Sequence, residues 1–336
     1  MKAARMHKTG GPDVLVYEDV PEPRPAPGEV LIKVEAVSVN YADAIRRRGE
    51  RYPYPSPPPF ILGGEVAGTV VGHGEGVSSP DLGSRVFALL GGGGAGGYAQ
   101  LAVADPKQMI VLPSRLDDDL ERACTLVVAG VTALQCLREL GRLAPGESVL
   151  IPGAAGGVGT YALQIARALG AGKIIAGAST VEKRVLALRL GADHVIDHRS
   201  ADWPKEVKEL TNGRGADVVL DLMSGGPVFE QGMSALAPFG RLVVYGVMNS
   251  QPTSFEPRRL VAFNQSIAGY YVNEWFVRGK GVAALGALIG LIQAGKVKAE
   301  IGHALPLSRA AEAHRLIEER RTLGKIVLKP WAEDRA

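Results

Sequence analysis

The stretch Val149-Leu150-Ile151-Pro152-Gly153-Ala154-Ala155-Gly156-Gly157-Val158-Gly159 constrains the fold more than any other part of the chain. An apolar strand runs into a turn of small residues, a helical segment follows at once (160–169), and a second strand lies beyond it (173–178). A turn without bulky side chains lets backbone approach an anion closely, and the helix that follows offers free N–H groups and the positive end of its dipole. Gly156 and Gly159 fit the second and third glycines of a dinucleotide fingerprint, and Ala154 stands at the first. A glycine-rich turn alone is weak, but strand before and helix after are the context the motif requires. The backbone of Ala155, Gly156, Gly157 and Val158 is therefore expected to cradle a pyrophosphate.

The pattern around this turn divides the chain. Residues 1–124 read as mostly β: Val30 to Val37 alternates apolar and polar, and Glu65 to Val71 and Arg85 to Leu90 are short strands between Gly and Pro punctuation. Five prolines in 52–59 rule out regular structure there. Gly91 to Gly97 reads as a connector or a flap. From 125 strands and helices alternate (149–152, 160–169, 173–178, 181–190, 194–197, 217–221, 227–236, 241–246), the rhythm of a doubly wound parallel sheet. The apolar runs 217–221 and 241–246 suit strands buried on both faces. Ser266 to Val272 reads as a last, edge strand, which needs covering and so predicts a homodimer paired through it. Helices are expected at 282–294 and 308–321, and a final strand at 325–329 that would complete the first domain.

Composition sets the class. With 336 residues, 46% hydrophobic and 22% charged, the chain suits two soluble globular domains. The net charge of +3 is scattered. No Lys/Arg stripe with interleaved aromatics points to nucleic acid. No apolar run reaches a membrane span, and no secretory-type apolar segment opens the sequence, so a cytoplasmic enzyme is expected. Cys124 and Cys136 lie in apolar surroundings and are expected to be buried free thiols.

Taken in order, Asn40-Tyr41-Ala42-Asp43 with Arg47 and Gly49, Leu62 to Gly68, Gly130-Val131-Thr132-Ala133, Ala154 to Gly159, Ser179 with Lys183, Leu190 to Asp193 and Gly324 to Leu328 form a specific series over nearly the whole length. With it the chain resembles a medium-chain dehydrogenase/reductase of the zinc-independent, zeta-crystallin-like quinone oxidoreductase branch. The resemblance implies a GroES-like catalytic domain from the two chain ends (1–124 and 267–336), a Rossmann domain between them (125–266) and a substrate cleft between the two. It also places Asn40 and Gly64 where zinc relatives carry a thiolate and an imidazole. Neither residue is a useful zinc ligand, and two cysteines twelve apart make no structural zinc site, so no metal is expected.

Without a Lewis acid, hydride delivery to an electron-poor acceptor remains feasible, because the product anion needs only hydrogen-bond donors and a proton. A quinone is the leading acceptor. Reduction of an enone, enal or enoyl C=C bond is the alternative, and a non-catalytic NADPH-binding structural or RNA-associated protein is the alternative of another class. Candidate catalytic donors are the Asn40 amide and the phenols of Tyr41 and Tyr52. A salt bridge to Arg47 is expected for Asp43, and Glu65 is expected to be structural. For the cofactor, NAD enzymes place a carboxylate about twenty residues past the turn. Here that position is Ser179, followed by Lys183 and Arg184, groups that suit the 2′-phosphate of NADPH. The resemblance adds His198 to this phosphate site and sets Thr132, Gly246, Val247 and Met248 beside the nicotinamide.

Overall fold

The computed structural model describes residues 1–91, 95–113, 116, 118–248, 253 and 255–333. In chain order the first elements are β1 (Lys2–Met6), β2 (Leu15–Asp19), β3 (Val30–Val39), α1 (Tyr41–Arg48), β4 (Phe60–Ile61), β5 (Glu65–His73), β6 (Arg85–Leu89), β7 (Leu101–Ala104), β8 (Met109–Val111) and α2 (Leu120–Ala123). There follow α3 (Thr132–Gln135), β9 (Ser148–Pro152), α4 (Gly157–Ala168), β10 (Lys173–Gly177), α5 (Val181–Arg189), β11 (His194–Ile196), α6 (Trp203–Leu210) and β12 (Ala216–Asp221). The rest are α7 (Gly226–Ser234), β13 (Leu236–Val244), α8 (Arg258–Phe263), β14 (Ser266–Gly269), α9 (Val272–Val277), α10 (Lys280–Gln293), β15 (Ile301–Pro306), α11 (Ala310–Glu318) and β16 (Lys325–Lys329). None of the described helices is long and apolar enough to cross a membrane. The glycine-rich segment expected as a connector or flap falls partly on residues 92–94, which lie outside the described residues.

Contacts divide the chain into two compact units, Met1–Val127 with Glu300–Ala336, and Val128–Ala299. In the first, β15, β16, β3, β5, β6 and β8 form a sheet in that order, with β7 also paired to β3, and β2, β1 and β4 form a second sheet. Long β3 is the spine. Its Val30, Ile32 and Val34 are fully buried while the residues between are half-exposed, the alternation of a strand with one wet face. Bulges between Leu31 and Ile32 and between Val34 and Ala36 bend it. The C-terminal strand β16 pairs antiparallel with β3 through Ile326–Val39, Val327–Ser38 and Leu328–Val37. The core of this unit joins Val30, Ile32 and Val34 to Leu62, Val66 and Tyr98 and to Leu316, Ile326 and Leu328 from the far end of the chain.

The second unit is an all-parallel sheet in the order β11-β10-β9-β12-β13-β14. Successive strands step outward from β9 on one side and then from β12 on the other. The connection reverses between β9 and β12, the position at which open α/β sheets bind ligands beyond the strands' carboxyl ends. The segment after 266 stays with this unit: β14 ladders onto β13, and Gln135 accepts from the Tyr270 phenol and donates to the Lys280 carbonyl. The edge strand is shorter than the expected 266–272, because the chain turns into α9 at Val272. Helix α6 has no counterpart in the sequence reading. Its signal was present: Trp203, Val207 and Leu210 follow an i, i+4, i+7 spacing, and Pro204 opens the helix. Trp203 is 1% exposed and donates its indole N–H to Gln231 Oε1 at 2.9 Å, in a core with Leu150, Ile175 and Phe229.

Candidate functional site

In the second unit the glycine turn is built around Gly153, whose φ of +66° suits a residue without a side chain. Gly156 donates its N–H to Gly153 O at 2.9 Å, and Ala154 donates to Gly177 O at 3.1 Å, which ties the turn to β10. A Cβ on Gly159 would come within 2.4 Å of Gly153 O and 2.7 Å of Ala154 backbone, so this glycine permits close packing of helix on strand. A Cβ on Gly156 would meet only Gly153 O, at 3.2 Å, leaving its other side open. Gly156 caps the twelve-residue α4, and no side chain caps its first turn. The backbone of Gly157 and Val158 thus presents an anion site of the kind an orphaned helix N-terminus makes, with Ala155 buried behind it.

Past β10 the chain reaches Ser179, and Thr180 accepts the Lys183 N–H to start α5. His198 packs near the end of β10, where a Cβ on Gly177 would come 3.3 Å from its Nδ1. One carboxylate missed by the sequence reading stands here. Asp197 accepts from Arg199 Nε at 3.0 Å and Nη2 at 2.9 Å, and from Arg184 Nη2 at 2.8 Å. The Arg199 guanidinium, aided by Arg184, holds Asp197 far below the usual carboxylate range. Two guanidinium groups thus converge on one carboxylate beside the strand end that carries Ser179.

At the carboxyl edge of β13, a Cβ on Gly246 would lie 2.4 Å from Leu222 O, and Met248 donates its N–H to the same carbonyl at 3.2 Å. Val247 between them is 58% exposed. Asp221, ending β12, accepts the Ser224 N–H at 2.7 Å, and burial pushes its carboxyl up. Thr132 is buried on α3, which lies between two π-helical stretches, Leu126–Val131 and Cys136–Leu140.

The first unit holds the expected catalytic residues, each by a different partner. Asn40 precedes α1 and is 8% exposed. Its Nδ2 donates to Glu65 Oε2 at 3.0 Å, and its Oδ1 accepts from Lys325 Nζ at 2.6 Å. Both ends of the amide are engaged inside the protein. Lys325 donates also to Val39 O at 3.0 Å, and Glu65 accepts the Val127 N–H at 3.1 Å. Burial lowers the Lys325 pKa, against the raising effect of Glu65. Tyr41 lies under the Arg48 guanidinium, 5.3 Å from its ring centroid, and Tyr52 under that of Arg46, at 5.5 Å. Arg46 also stacks on Phe60 at 4.8 Å and donates to Ser56 Oγ at 2.6 Å, which fastens the proline-rich 52–59 segment to α1. Among the described residues, no three of His, Cys, Asp and Glu gather where they could hold a metal ion.

The expected Asp43–Arg47 salt bridge is replaced. Arg47, fully buried, turns to Glu318 of α11 at 2.6 Å. Asp43 instead accepts the N–H groups of Asn40 at 2.9 Å and Gly63 at 3.3 Å and faces the Tyr98 phenol at 3.4 Å. The nearer donors are backbone amides fixed by the cap of α1, whereas Arg47 is drawn to a carboxylate on the opposite helix. Tyr98 Oη also lies 3.1 Å from His314 Nε2. Both cysteines are buried, and burial raises both thiols.

The chain matches a family profile for the alcohol dehydrogenase GroES-like domain over residues 26–114 and one for a zinc-binding dehydrogenase over 157–285. It is 33% identical to a 2-haloacrylate reductase of Burkholderia sp, covering 98% of this chain and 99% of that one. It is 34% identical to a quinone oxidoreductase of Rattus norvegicus, covering 98% and 97%. The crystal structure of the Escherichia coli quinone oxidoreductase complexed with NADPH superimposes with a TM-score of 0.89 at 30% identity, covering 98% of this chain and all of the other.

The network around α1 makes acid stability testable. His314 is fully buried, and burial, together with Arg47 and Arg48, pushes its pKa from 6.5 down to about 3. Below its ordinary pKa the unfolded chain takes up a proton that the folded chain refuses, so stability falls as pH drops through that window. The loss between pH 6.5 and 4 is expected to be on the order of a few kcal/mol. Urea unfolding of His314→Gln should show a flatter pH profile than the parent over this range. Identical slopes would exclude a buried neutral imidazole.

Proposed function

The chain belongs to the medium-chain dehydrogenase/reductase superfamily, in its zeta-crystallin-like quinone oxidoreductase branch, and on that basis we propose that it is an NADPH-dependent, metal-independent oxidoreductase whose acceptor is a quinone. The observation that carries the cofactor half is the uncapped N-terminus of α4 behind an open glycine turn, with Ser179 and Lys183 at the neighbouring strand end and Asp197 there engaged by two arginines. Bound NADPH supplies the hydride. Ala155, Gly156, Gly157 and Val158 receive the pyrophosphate through backbone N–H groups; Ser179, Lys183 and His198 receive the 2′-phosphate; Thr132, Gly246, Val247 and Met248 flank the nicotinamide.

The first unit supplies the proton. The phenols of Tyr41 and Tyr52 are half-exposed donors, each held by a guanidinium over its ring. Asn40 acts from behind them: with its amide spent on Glu65 and Lys325, it positions the start of α1. Asn40 and Gly64 offer a metal neither thiolate nor imidazole, so polarisation of the acceptor rests on hydrogen bonds alone. A second reading, reduction of an activated C=C bond, is favoured by the resemblance to 2-haloacrylate reductase. A screen of NADPH oxidation against naphthoquinones, ortho-quinones, enones and 2-haloacrylate, with and without chelator, separates the two. The quinone reading expects the highest kcat/KM on a quinone, unchanged by chelator. A higher value on the enones would install the second reading, and loss of turnover on chelation would overturn metal independence.

Two more expectations follow from the second unit. Strand β14 is the outer strand of its sheet, and pairing with the β14 of a second copy would cover it. Light scattering at micromolar concentration should give twice the chain mass; a monomer counts against the pairing. For cofactor choice, loss of one charge-assisted contact is worth about ten- to a hundredfold in affinity. Lys183→Ala should therefore raise the KM for NADPH by about that factor and leave the KM for NADH unchanged. Ser179→Asp should reverse the preference, by repelling the phosphate and offering a partner to a ribose hydroxyl. Equal effects on both cofactors would move the phosphate site elsewhere.

A further inference from the structure

Tyr98 is clamped in place inside the first unit. Its N–H donates to Leu62 O at 2.9 Å, and its carbonyl accepts the Ala4 N–H at 2.8 Å. A Cβ on Gly63 would come 2.6 Å from Tyr98 Cδ1, so the ring lies against a residue that cannot carry a side chain. Tyr98 is fully buried, and its phenol meets Asp43 Oδ2 at 3.4 Å and His314 Nε2 at 3.1 Å. Asp43 in turn takes the Asn40 N–H on Oδ2 and the Gly63 N–H on Oδ1. The bond to Asn40 closes the cap of α1, and Tyr41 is the first residue after that cap.

The protons in this chain run one way. Two backbone N–H groups already favour the ionised form of Asp43, and an ionised carboxylate has no proton to give. The phenol has one, and burial keeps it in place. If Tyr98 spent that proton on His314, its bare oxygen would face the carboxylate, two acceptors 3.4 Å apart in the interior. Tyr98 therefore donates to Asp43 and accepts from His314 Nε2–H. The neutral imidazole has a single proton, so Nδ1 keeps a bare lone pair. The far end of the chain agrees. His314 Nδ1 is buried without a hydrogen-bond partner, and so are Nε and Nη1 of Arg47. Arg47 bonds Glu318, which lies one helical turn from His314 on the same face of α11. A lone pair suits a nearby guanidinium, whereas an Nδ1–H would add one more unmet donor to the two of Arg47.

We propose that Tyr98 and His314 are positioning residues, and that the directed chain from His314 Nε2–H through the Tyr98 O–H to Asp43 fixes the first turn of α1 and with it the Tyr41 phenol. The proposal rests on the reading of Tyr41 as a proton donor and deepens it. A proton donor works only when held at one distance from the reacting atom. Here the hold on its helix passes through a phenol whose own seat is set by Gly63 and Leu62.

The test uses the full chain. Nitrogen-15 spectra of the histidine rings, with His314 assigned by its loss in His314→Gln, should show a protonated Nε2 and a bare Nδ1. The reverse tautomer overturns the proposal. Tyr98→Phe and His314→Met should each lower kcat on the best acceptor about tenfold and leave the KM for NADPH within about twofold, since only the donor is displaced. His314→Gln can donate to Tyr98 Oη from the place of Nε2, so it should keep kcat within about twofold of the parent. A rise in the KM for NADPH alongside the fall in kcat, or a loss in His314→Gln as large as in His314→Met, would mark loosened packing and overturn the positioning role. Tyr41→Phe separates this proposal from the reading beneath it. If Tyr41→Phe lowers kcat and Tyr98→Phe does not, Tyr41 stays a donor and the positioning role falls. If Tyr41→Phe leaves kcat unchanged, the donor reading falls and this one with it.

Discussion

A buried ammonium must find partners inside the protein, and the first unit is organised around the ones Lys325 finds. It comes from the last strand of the chain and bonds Val39 O and Asn40 Oδ1 at the end of the longest early strand. Asn40 passes the tie to Glu65, which reaches on to the Val127 N–H. Four segments far apart in sequence are thus fastened by one charged group with one carboxylate nearby. Removing either charge alone would strand the other in a low-dielectric interior, a far larger penalty than losing an exposed pair. The start of α1, and with it Tyr41 and the Arg46 that stacks on Tyr52, takes its place from this tie.

Charge is also placed deliberately at two other points of the chain. In the first unit, two buried cations are met inside the protein, Lys325 by Asn40 and the Val39 carbonyl and Arg47 by Glu318, which also takes Arg48. In the second, the group around Asp197 is half-exposed and carries more cations than it has anions to satisfy them. A charge held by partners inside the protein fixes geometry. An unmatched rim attracts an anionic ligand from solution. The distribution fits a scaffold that orients side chains in one unit and a receptor for a phosphorylated cofactor in the other.

Local features were the most legible in the sequence. The glycine turn and the parallel strands on either side follow from short-range spacing, and the return of strand 325–329 to the first unit was readable from its apolar pattern. What escaped depends on distance. The partner of Arg47 lies 271 residues away, and nothing within one helical turn could announce it. Asp197 stands next to His198 in the sequence, yet its meaning depends on Arg184 arriving from α5. Asn40 was recognised as a position, but the direction of its amide is set by Glu65 and Lys325. Tyr270 read as part of an edge strand because its apolar neighbours mask a phenol that points back to Gln135. Helix α6 is a different kind of miss, since its spacing was visible and was passed over between two stronger strand signals.

The first unit is closed by the end of the chain, and this sets an order on how the molecule can come into being. Strand β16 sits between β15 and β3 in the sheet. Until it emerges from the ribosome, β3 lacks its partner along Val37–Val39, and Asn40 and Glu65 lack the ammonium that organises them. The second unit, contiguous from Val128 to Ala299, has all its strands by then. Translation therefore delivers a finished nucleotide-binding sheet first and leaves the unit begun before it waiting on strands made after it. A nascent chain must protect that unpaired stretch for the length of the intervening synthesis.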